Sequence, residues 1–467
     1  MNRPSLIGAV VGLGLVAVIG AAQVGRPTDA KPEFVGDGAT DNTDALQKAI
    51  DAGRGSVHLS KGVYRITRTL VIDLDRVGYT AVTADGTATL RMDGAGPALR
   101  FVGTHKGTAA PRTVEPNVWD RQRSPRVDGL EIVGGHPEAD GIEVSGTMQF
   151  TAHGVTIRKC RHGVRLVQRN RNVILSACHI YENRGIGVFY DKVDLHQSNI
   201  VGCHISYCDG GGVVFRGGAV RNAHIGTCDI EANQSKDGPP TANVLIDCTG
   251  GSTAEVAITG CTIQHANVPD SANVRVLGAG KGLREKTANW GHITIGDNVF
   301  SDVAVNVDLK DCRGVTVTGN TFWMGYKYNL LAENCQQLVV GPNVFERNPA
   351  YDYGTSKETV NALLFKDCKD CTLTGLHVHG VRGAAGLALD GCSRFNVTGC
   401  SVLDCEGVGL LLKNPRHCRV SDCLVRHDGL GDKEPVSLRV DGGSGNLFAD
   451  NLLGGAAMVP KEAGEVR

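Results

Sequence analysis

The sequence has few aromatic residues and almost no net charge. Only 5% of its 467 residues are aromatic, 21% are charged, and the formal net charge is -1. A nucleic-acid-binding surface would require an excess of Lys and Arg, and the sequence has neither that excess nor an acidic tail. The composition therefore argues against nucleic-acid binding, and the 62 glycines suit many tight turns around a thin aliphatic core.

The sequence also lacks the paired cysteine motifs of a zinc site, although it contains 16 cysteines. Cys368 and Cys371 have C-x-x-C spacing, but no second pair accompanies them. Most of the cysteines recur instead at two fixed places of a repeat. We therefore expect them to be mostly reduced and buried, where they pack as small apolar groups.

Hydrophobic runs long enough to cross a membrane are missing after the N-terminus. Residues 1–22 combine Arg3, an apolar run that begins at Leu6, and the small residues Gly20 and Ala22 at its end. This pattern is typical of a secretory signal peptide. The sequence therefore predicts export to a secreted, periplasmic or cell-surface location, with cleavage after Ala22. An uncleaved anchor is the alternative.

Residues 155–453 contain a repeat in which an apolar alternating run, one small polar residue and a second apolar run follow one another. The small residue stands at Cys160, Cys178, Cys203, Cys228, Cys261, Asn298, Asn320, Asn343, Leu376, Cys400, Cys423 and Asn451. Cys312, Cys335, Cys368 and Cys392 recur at the end of another strand. Each repeat carries about three short strands and no helical periodicity. One such coil cannot bury its apolar side chains alone, so the pattern predicts a solenoid of stacked coils with long parallel sheets.

These repeats resemble the right-handed parallel β-helix proteins of the pectate lyase superfamily. The segments Asp297 to Phe300 and Gly319 to Phe322 are similar to that family's asparagine-ladder turn. The segments Gly36 to Asp44 and Lys61 to Ile66 resemble the opening of the rhamnogalacturonase/epimerase-like pectate lyase domain, although Glu33 to Val35 departs from the usual DFGA. The resemblance implies an all-β, right-handed, single-stranded parallel β-helix of about 12 coils.

A short helix is expected near the N-terminus, because Leu46, Ala49 and Ile50 share one face at helical spacing. Asp41 or Thr43 can cap it, and it would cover the open end of the solenoid. The predicted organisation is a signal peptide at 1–22, a linker at 23–33, the cap and first coils at 34–103, a loop insertion at 104–128, the β-helix repeats at 129–455 and a tail at 456–467.

Side chains alternate between the two faces of a strand, so Glu143 lies outside when Ile142 and Val144 lie inside. The same count places Arg165, Arg216, Asp247, Arg275, Asp308, Lys310 and Glu333 on the outer face. Stacked about 4.8 Å apart, these residues predict a long charged strip that suits an extended polymer. The insertion with Trp119 either overhangs a groove at this strip or is a solvated loop without a role.

The resemblance implies polysaccharide chemistry but leaves the reaction open. The segment Ala139 to Ile142 resembles the strand entry of polygalacturonase-type hydrolases, yet that family's acidic pair one coil later is missing. An inverting hydrolase needs two carboxyl groups about 6.5 to 9.5 Å apart, so Asp140 would need Glu143, Asp191 or Asp209 as a partner. A lyase needs a base and a cation, Arg or calcium, on the uronate carboxylate.

The sequence thus predicts a secreted lyase or glycoside hydrolase for an acidic, uronate-containing polysaccharide. The candidate catalytic residues are Asp140, Glu143, Arg165, Asp191 and Arg216, and the candidate substrate-binding residues are Trp119, Arg275, Asp308 and Lys310. No protein metal site or cofactor is predicted, although calcium can act in a lyase. The alternative is a non-catalytic carbohydrate-binding or surface β-helix protein, or an adhesin. We expect the working face in the N-terminal half, so that Arg165→Ala and Arg216→Ala weaken binding and Lys413→Ala does not.

Overall fold

Each coil of the chain contains three short strands, and equivalent strands of successive coils pair in parallel. The computed structural model describes residues 34–278, 291–348, 350–351, 353–429 and 435–467, which contain 42 strands. Residues 34–467 form one unit. The predicted signal peptide and linker lie outside the described residues. Across the described ranges, no helix is both long and apolar enough to span a membrane.

The strands build three parallel sheets, numbered here in the order in which a coil passes through them. Sheet 1 contains Leu70–Asp73, Gly96–Val102, Ala139–Met148, Val244–Gly251, Ala272–Leu277, Val303–Lys310, Gly325–Glu333, Ala362–Lys366, Ala385–Asp390, Val408–Lys413, Val436–Asp441 and Ala456–Met458. Sheet 2 contains Ser56–Leu59, Thr151–His153, Ala254–Thr259, Gly291–Gly296, Arg313–Thr318, Gln336–Val340, Lys369–Thr374, Ser393–Thr398, Arg419–Ser421, Asn446–Ala449 and Gly464–Val466. Sheet 3 contains Asp37–Asp41, Gly62–Ile66, Thr156–Arg158, His179–Tyr181, His204–Ser206, Asp229–Glu231, Thr262–Gln264, Val299–Phe300, Thr321–Phe322, Val344–Phe345, His377–His379, Ser401–Leu403, Leu424–Arg426 and Leu452–Leu453.

Five longer strands bend and belong to two sheets. Ala81–Met92 and Arg126–Gly134 pass from sheet 2 into sheet 3. Val164–Ser176, Ile186–Val201 and Gly211–Gly226 pass from sheet 1 into sheet 2. Every strand pair is parallel, which confirms the predicted solenoid of stacked coils.

The predicted helix spans Thr43–Asp51, with Leu46 and Ile50 buried in the core. Its N-cap is Asn42, and the carboxylate of Asp41 accepts hydrogen bonds from the amide and the hydroxyl of Thr43. The hydroxyl of Thr67 donates to the same carboxylate. These three bonds lower the pKa of Asp41 to about 2, because they stabilise the charged form. Short helical turns also occur at Leu74–Val77, Pro111–Thr113, Val118–Gln122 and Ser356–Glu358.

The predicted asparagine ladder is confirmed. The side-chain amide of Asn298 donates to Oδ1 of Asn320 at 3.0 Å, and Asn320 donates to Oδ1 of Asn343 at 3.0 Å. All three side chains are buried. A second ladder of buried amides was not predicted from the sequence. It runs from Asn233, which follows the sheet 3 strand Asp229–Glu231, through Asn243, Asn273, Asn306 and Asn329 at the sheet 1 strands.

All 16 cysteines are free thiols and buried, as expected. The prediction that Cys160 belongs to the ladder with Cys178 is wrong. Thr156 pairs with His179, so Val155, the residue before Thr156, is the equivalent of Cys178. Cys160 lies instead beside Asn183, whose Oδ1 accepts from the Cys160 amide at 3.0 Å. It therefore belongs to a separate column on the other side of sheet 3.

The stack of coils is longer than the repeat region predicted from the sequence. Strands lie before residue 104, as expected for the first coils, and a strand starts at Arg126, so the insertion covers residues 104–125 rather than 104–128. The region predicted as a tail contains Ala456–Met458 and Gly464–Val466, which pair with the preceding coil. Sheet 1 consequently has 15 strands within the described ranges, three of them bent.

Candidate functional site

The outer face of sheet 1 carries two columns of side chains that stack from coil to coil. In the first column, Arg100, Glu143 and Arg165 are direct neighbours on adjacent strands. The second column lies two residues further along each strand and contains Asp191, Arg216, Asp247, Lys310, Glu333, Lys366, Asp390, Lys413 and Asp441. Its charges alternate in sign, with Leu277 as an interruption between Asp247 and Lys310. The predicted strip is therefore electrically balanced, and it continues beyond residue 333.

The predicted catalytic residue Asp140 is buried and fully engaged. Its side chain is 1% exposed, and its two carboxylate oxygens accept from Nε and Nη2 of Arg161 at 2.9 and 2.6 Å. The amide of His162 donates to it at 3.0 Å. Asp209 lies three coils away, or about 14 Å along the stack, which is outside the carboxyl spacing of an inverting hydrolase. Asp140 thus holds the turn of the next coil.

The structure brings Glu143, Arg165 and Asp191 together. Arg165 donates through Nη1 to Glu143 at 3.3 Å and through Nε to Asp191 at 2.9 Å. Arg100 binds the other oxygen of Glu143 at 2.7 Å. One guanidinium group therefore separates the two carboxylates, and each carboxylate is already paired with a cation.

Arg216 is the least constrained of the predicted catalytic residues. Its side chain is 48% exposed, and Nε lies 3.8 Å from the carboxylate of Asp247, which is long for an ion pair. Its guanidinium carbon lies 6.0 Å from the ring centre of Phe189. The ring of His162 packs on the same phenyl group, and burial lowers the pKa of His162. Arg216 can therefore move toward an anionic ligand at little cost.

The predicted substrate-binding residues do not form one site. Arg275 is nearly buried and donates to Asp308 at 2.7 Å and to the carbonyl oxygens of Thr241 and Asp270 at 3.0 and 2.9 Å. Lys310 is exposed in the second column. Trp119 is half-buried and packs against a cluster that contains Met148, at the end of a sheet 1 strand.

A groove that sequence analysis missed lies on the same outer face, in the coils between residues 325 and 413. The first column is apolar twice: at Phe189, Val214 and Leu245, which belong to a buried cluster, and again after Asp308. The members after Asp308 are Leu331, Leu364, Ala388 and Leu411 on successive strands. The groove has a volume of about 400 Å³. Its lining includes Tyr328, Val360, Ala362, Leu364, Ala385, Ala388 and Leu411, with Lys327, Asp390 and Lys413 among the charged residues at its border.

Aromatic side chains cluster next to the strand that opens this groove. The rings of Trp323 and Tyr351 meet edge to face at 5.1 Å, and Tyr353 lies 6.1 Å from both. Tyr351 and Tyr353 are exposed. Trp323 lies two residues before the strand Gly325–Glu333, which carries Lys327 and Tyr328 into the groove. The strands Ala362–Lys366 and Val408–Lys413 are apolar on both faces, so the sequence alone does not distinguish their outward residues from their core residues.

Two family models match different parts of the chain. Residues 120–263 match the model described as "Right handed beta helix region", and residues 254–453 match "Periplasmic copper-binding protein (NosD)". A search of the curated proteins found no match. Together with the parallel sheets, the matches identify the chain as a right-handed parallel β-helix protein.

The described part of the chain does not present a ligand group that fits a copper site. Among the residues that the structure describes, no group of three or more His, Cys, Asp or Glu side chains is placed to hold a metal ion. The cysteine thiols stack inside the solenoid and contact backbone carbonyls, as Cys178 does with Ala152.

Solved structures with a similar fold share little sequence with this chain. Tailspike protein 3 of bacteriophage CBA120 is 14% identical with a TM-score of 0.45, over 92% of this chain and 59% of the tailspike chain. The A-module of mannuronan C-5 epimerase AlgE4 from Azotobacter vinelandii is 14% identical with a TM-score of 0.40, over 93% of this chain and 98% of that module. The surface adhesin PfbA of Streptococcus pneumoniae is 12% identical with a TM-score of 0.44, over 90% of this chain and 88% of that chain.

Proposed function

We propose that the protein binds a polysaccharide along the outer face of sheet 1, with the groove at residues 325–413 as its main contact. The observation that carries this proposal is an apolar groove of about 400 Å³ on a long, regular sheet, bordered by charged side chains. Binding sites of this kind combine an apolar lining with a few polar groups that fix orientation. Sugar rings need both, since they have apolar faces and hydrogen-bonding edges.

The floor of the groove supplies the apolar contacts, and its border supplies the polar groups. Leu364, Ala388 and Leu411 repeat on successive coils, and therefore offer one apolar contact about every 4.8 Å along the stack. Lys413 and Asp390 stand on neighbouring strands at the side of this row and can contact hydroxyl or carboxylate groups. A polymer with a repeating apolar ring face can thus bind several coils at once.

The test is a binding screen of purified neutral and acidic polysaccharides with the wild-type protein and Leu364→Asp. A carboxylate in the floor should weaken binding to the best ligand at least about tenfold, because it must be desolvated without a partner. Val339→Asp is the matched control, since Val339 is exposed on the outer face of sheet 2. Equal affinity of all three proteins would contradict the proposal.

Cleavage or modification of an acidic polysaccharide is the second candidate function, and the loose pairing of Arg216 favours it. Its exposed guanidinium can bind a uronate carboxylate, while Asp191 stands on the adjacent strand and Glu143 lies two strands beyond Asp191. A polysaccharide screen that measures both unsaturated products by ultraviolet absorption and new reducing ends tests this. Activity that survives in both Asp191→Asn and Arg216→Ala would remove these residues from the reaction.

Export belongs to the same proposal, because polysaccharides are extracellular or periplasmic ligands. The pattern of residues 1–22 supports it. N-terminal sequencing of the protein recovered from outside the cytoplasm should give Gln23 as the first residue. Recovery of the uncleaved chain in the membrane fraction would favour the anchor instead.

A further inference from the structure

One buried and one partly buried arginine lie where the strand Val164–Ser176 turns from sheet 1 toward sheet 2. Arg169 and Arg171 are on this strand, and the side chain of Arg171 is buried, with the residue 8% exposed. The insertion at 104–125 contributes His105, which is 1% exposed and whose amide donates to the carbonyl of Gly146 at 2.9 Å. The strand and the insertion therefore enclose three nitrogen-rich side chains.

Most of the polar nitrogens in this cluster have no acceptor. Among the described residues, Nε and Nη2 of Arg169, Nε and Nη1 of Arg171 and both ring nitrogens of His105 are buried without a hydrogen-bond partner. Buried polar groups are nearly always paired, and a buried charge without a counter-charge is costly. The cluster differs from Arg100, Arg165 and Arg275 of sheet 1, each of which binds a carboxylate.

The neighbouring groups do not balance the charge. Asp194 on the adjacent strand pairs with Nη1 of Arg169 and is one carboxylate for two guanidinium groups. His196 pairs with Arg171 in register, and burial followed by the charge of Arg169 lowers its pKa. Burial, and then the charges of Arg169 and Arg171, also lower the pKa of His105 to about 4. Both histidines are consequently neutral near pH 7, and a net positive charge remains.

The next arginine in the same column has hydrogen-bond acceptors for its guanidinium group. Arg221 pairs with His196 in register on the following strand. Its Nη2 donates to the hydroxyl of Ser252 at 2.6 Å, and its Nη1 donates to the carbonyls of Ser252 and Val220. Arg221 therefore serves as a matched control for Arg171.

We propose that Arg169, Arg171 and His105 bind a single oxyanion, a phosphate, sulfate or carboxylate group, between the insertion and the coil. A guanidinium group offers paired N–H donors that match two oxygens of such an anion. A neutral imidazole adds one further donor. The anion would supply the missing negative charge and fix the insertion to the solenoid. The site is separate from the groove at residues 325–413.

The experiment is calorimetric titration of the full-length protein with phosphate, with sulfate and with a short oligouronate, at constant ionic strength. The wild type should bind one of these saturably with one site per chain. Arg171→Met should weaken that binding at least about tenfold, because one guanidinium carries several of the donors. Arg221→Met should change it less than about twofold.

The three titrants distinguish the source of the anion. Binding of phosphate or sulfate indicates a free ion, and binding of the oligouronate alone indicates an acidic group of a glycan. If Arg171→Met does not fold, the midpoint of thermal unfolding of the wild type is measured with the same ions instead. An ion that binds the folded protein should raise this midpoint. Absence of saturable binding with all three titrants, or an equal loss in Arg221→Met, would overturn the proposal.

Discussion

The first and the last coils of sheet 1 present different outer faces on the same scaffold. From Arg100 to Asp308 the outward positions carry ion pairs, such as Arg165 with Glu143 and Asp191, and Arg275 with Asp308. Between these pairs Phe189, Val214 and Leu245 form a buried apolar cluster. From Leu331 to Leu411 the equivalent positions are aliphatic, and those from Leu364 onward line a groove. The backbone pairing is the same in both regions. The difference shows that the register fixes where a side chain points, while the ligand depends on what stands at the outward position.

Removal of one amide from the inner ladder should have the largest effect, because the ladder supports both outer faces. Asn320→Leu removes the acceptor of the Asn298 backbone amide and one of the two donors to Oδ1 of Asn343, and we expect a loss of about 1 to 3 kcal/mol in the free energy of unfolding. Chemical denaturation measures it. Asn396→Leu, on the outer face of sheet 2, is the control and should cost less than about 0.5 kcal/mol. Equal costs would show that stacking does not depend on the ladder.

The second largest effect concerns polysaccharide binding. One substitution in the groove and one in the charged region decide which of the two regions binds the polysaccharide. Tyr328→Ala in the groove should weaken polysaccharide binding about tenfold, or about 1.4 kcal/mol, through the loss of its aromatic contact. Arg216→Ala in the charged region should weaken it less than about threefold. Isothermal titration with the best ligand from the screen compares them. The opposite order would return the site to the N-terminal half, where sequence analysis placed it.

Stability should depend on charge pairing in the first region only. Arg165→Leu leaves Asp191 without its closest cation and removes one of two cations from Glu143, so we expect a loss of about 1 kcal/mol in the free energy of unfolding. Lys413→Leu, at the border of the groove, should cost less than about 0.5 kcal/mol. Denaturation curves at low and high salt measure both. A loss for Lys413→Leu as large as for Arg165→Leu would contradict this distinction.

The smallest effect concerns acid and the N-terminal cap. The folded-state pKa of Asp41 is about 2, below the ordinary value of about 3.9, so its stabilisation is complete above about pH 4 and is lost as the pH falls toward 2. Hydrogen exchange should therefore show faster opening of Thr43–Asp51 at pH 2.5 than at pH 5. Asp41→Asn should remove most of this pH dependence. Equal protection factors for these amides at the two pH values in the wild type would contradict the role of Asp41.

The scaffold could be predicted from the sequence because its signals are local and repeated. Alternation placed Glu143 outside between Ile142 and Val144, and the spacing of Asn298, Asn320 and Asn343 predicted their ladder. Cys160 was assigned to the wrong column because Val155 and Cys160 lie on opposite sides of the three-residue strand Thr156–Arg158. A sequence pattern does not show on which side of that strand the ladder lies.

The site could be predicted only in part, since it depends on contacts between distant segments. Asp140 has the sequence context of a catalytic acid, but its role is decided by Arg161 in the next coil. Leu364 and Leu411 have the same alternation as core residues, and only the register of three sheets shows that they point outward. The cluster of Arg169, Arg171 and His105 could not be predicted, because it depends on the path of the insertion, for which the sequence has no signal.

The five bent strands have a mechanical consequence. Where a strand continues from one sheet into the next, as in Ile186–Val201, a pulling force must break the pairing of both sheets together. The coils after Gly251 are built from separate short strands, so they can detach one at a time from the C-terminal end. A coil of the size that separates Asn320 from Asn343, 23 residues, would add about 80 Å of extended chain at each step. Under load the molecule should therefore lengthen in regular increments at its C-terminal end while its bent coils stay intact.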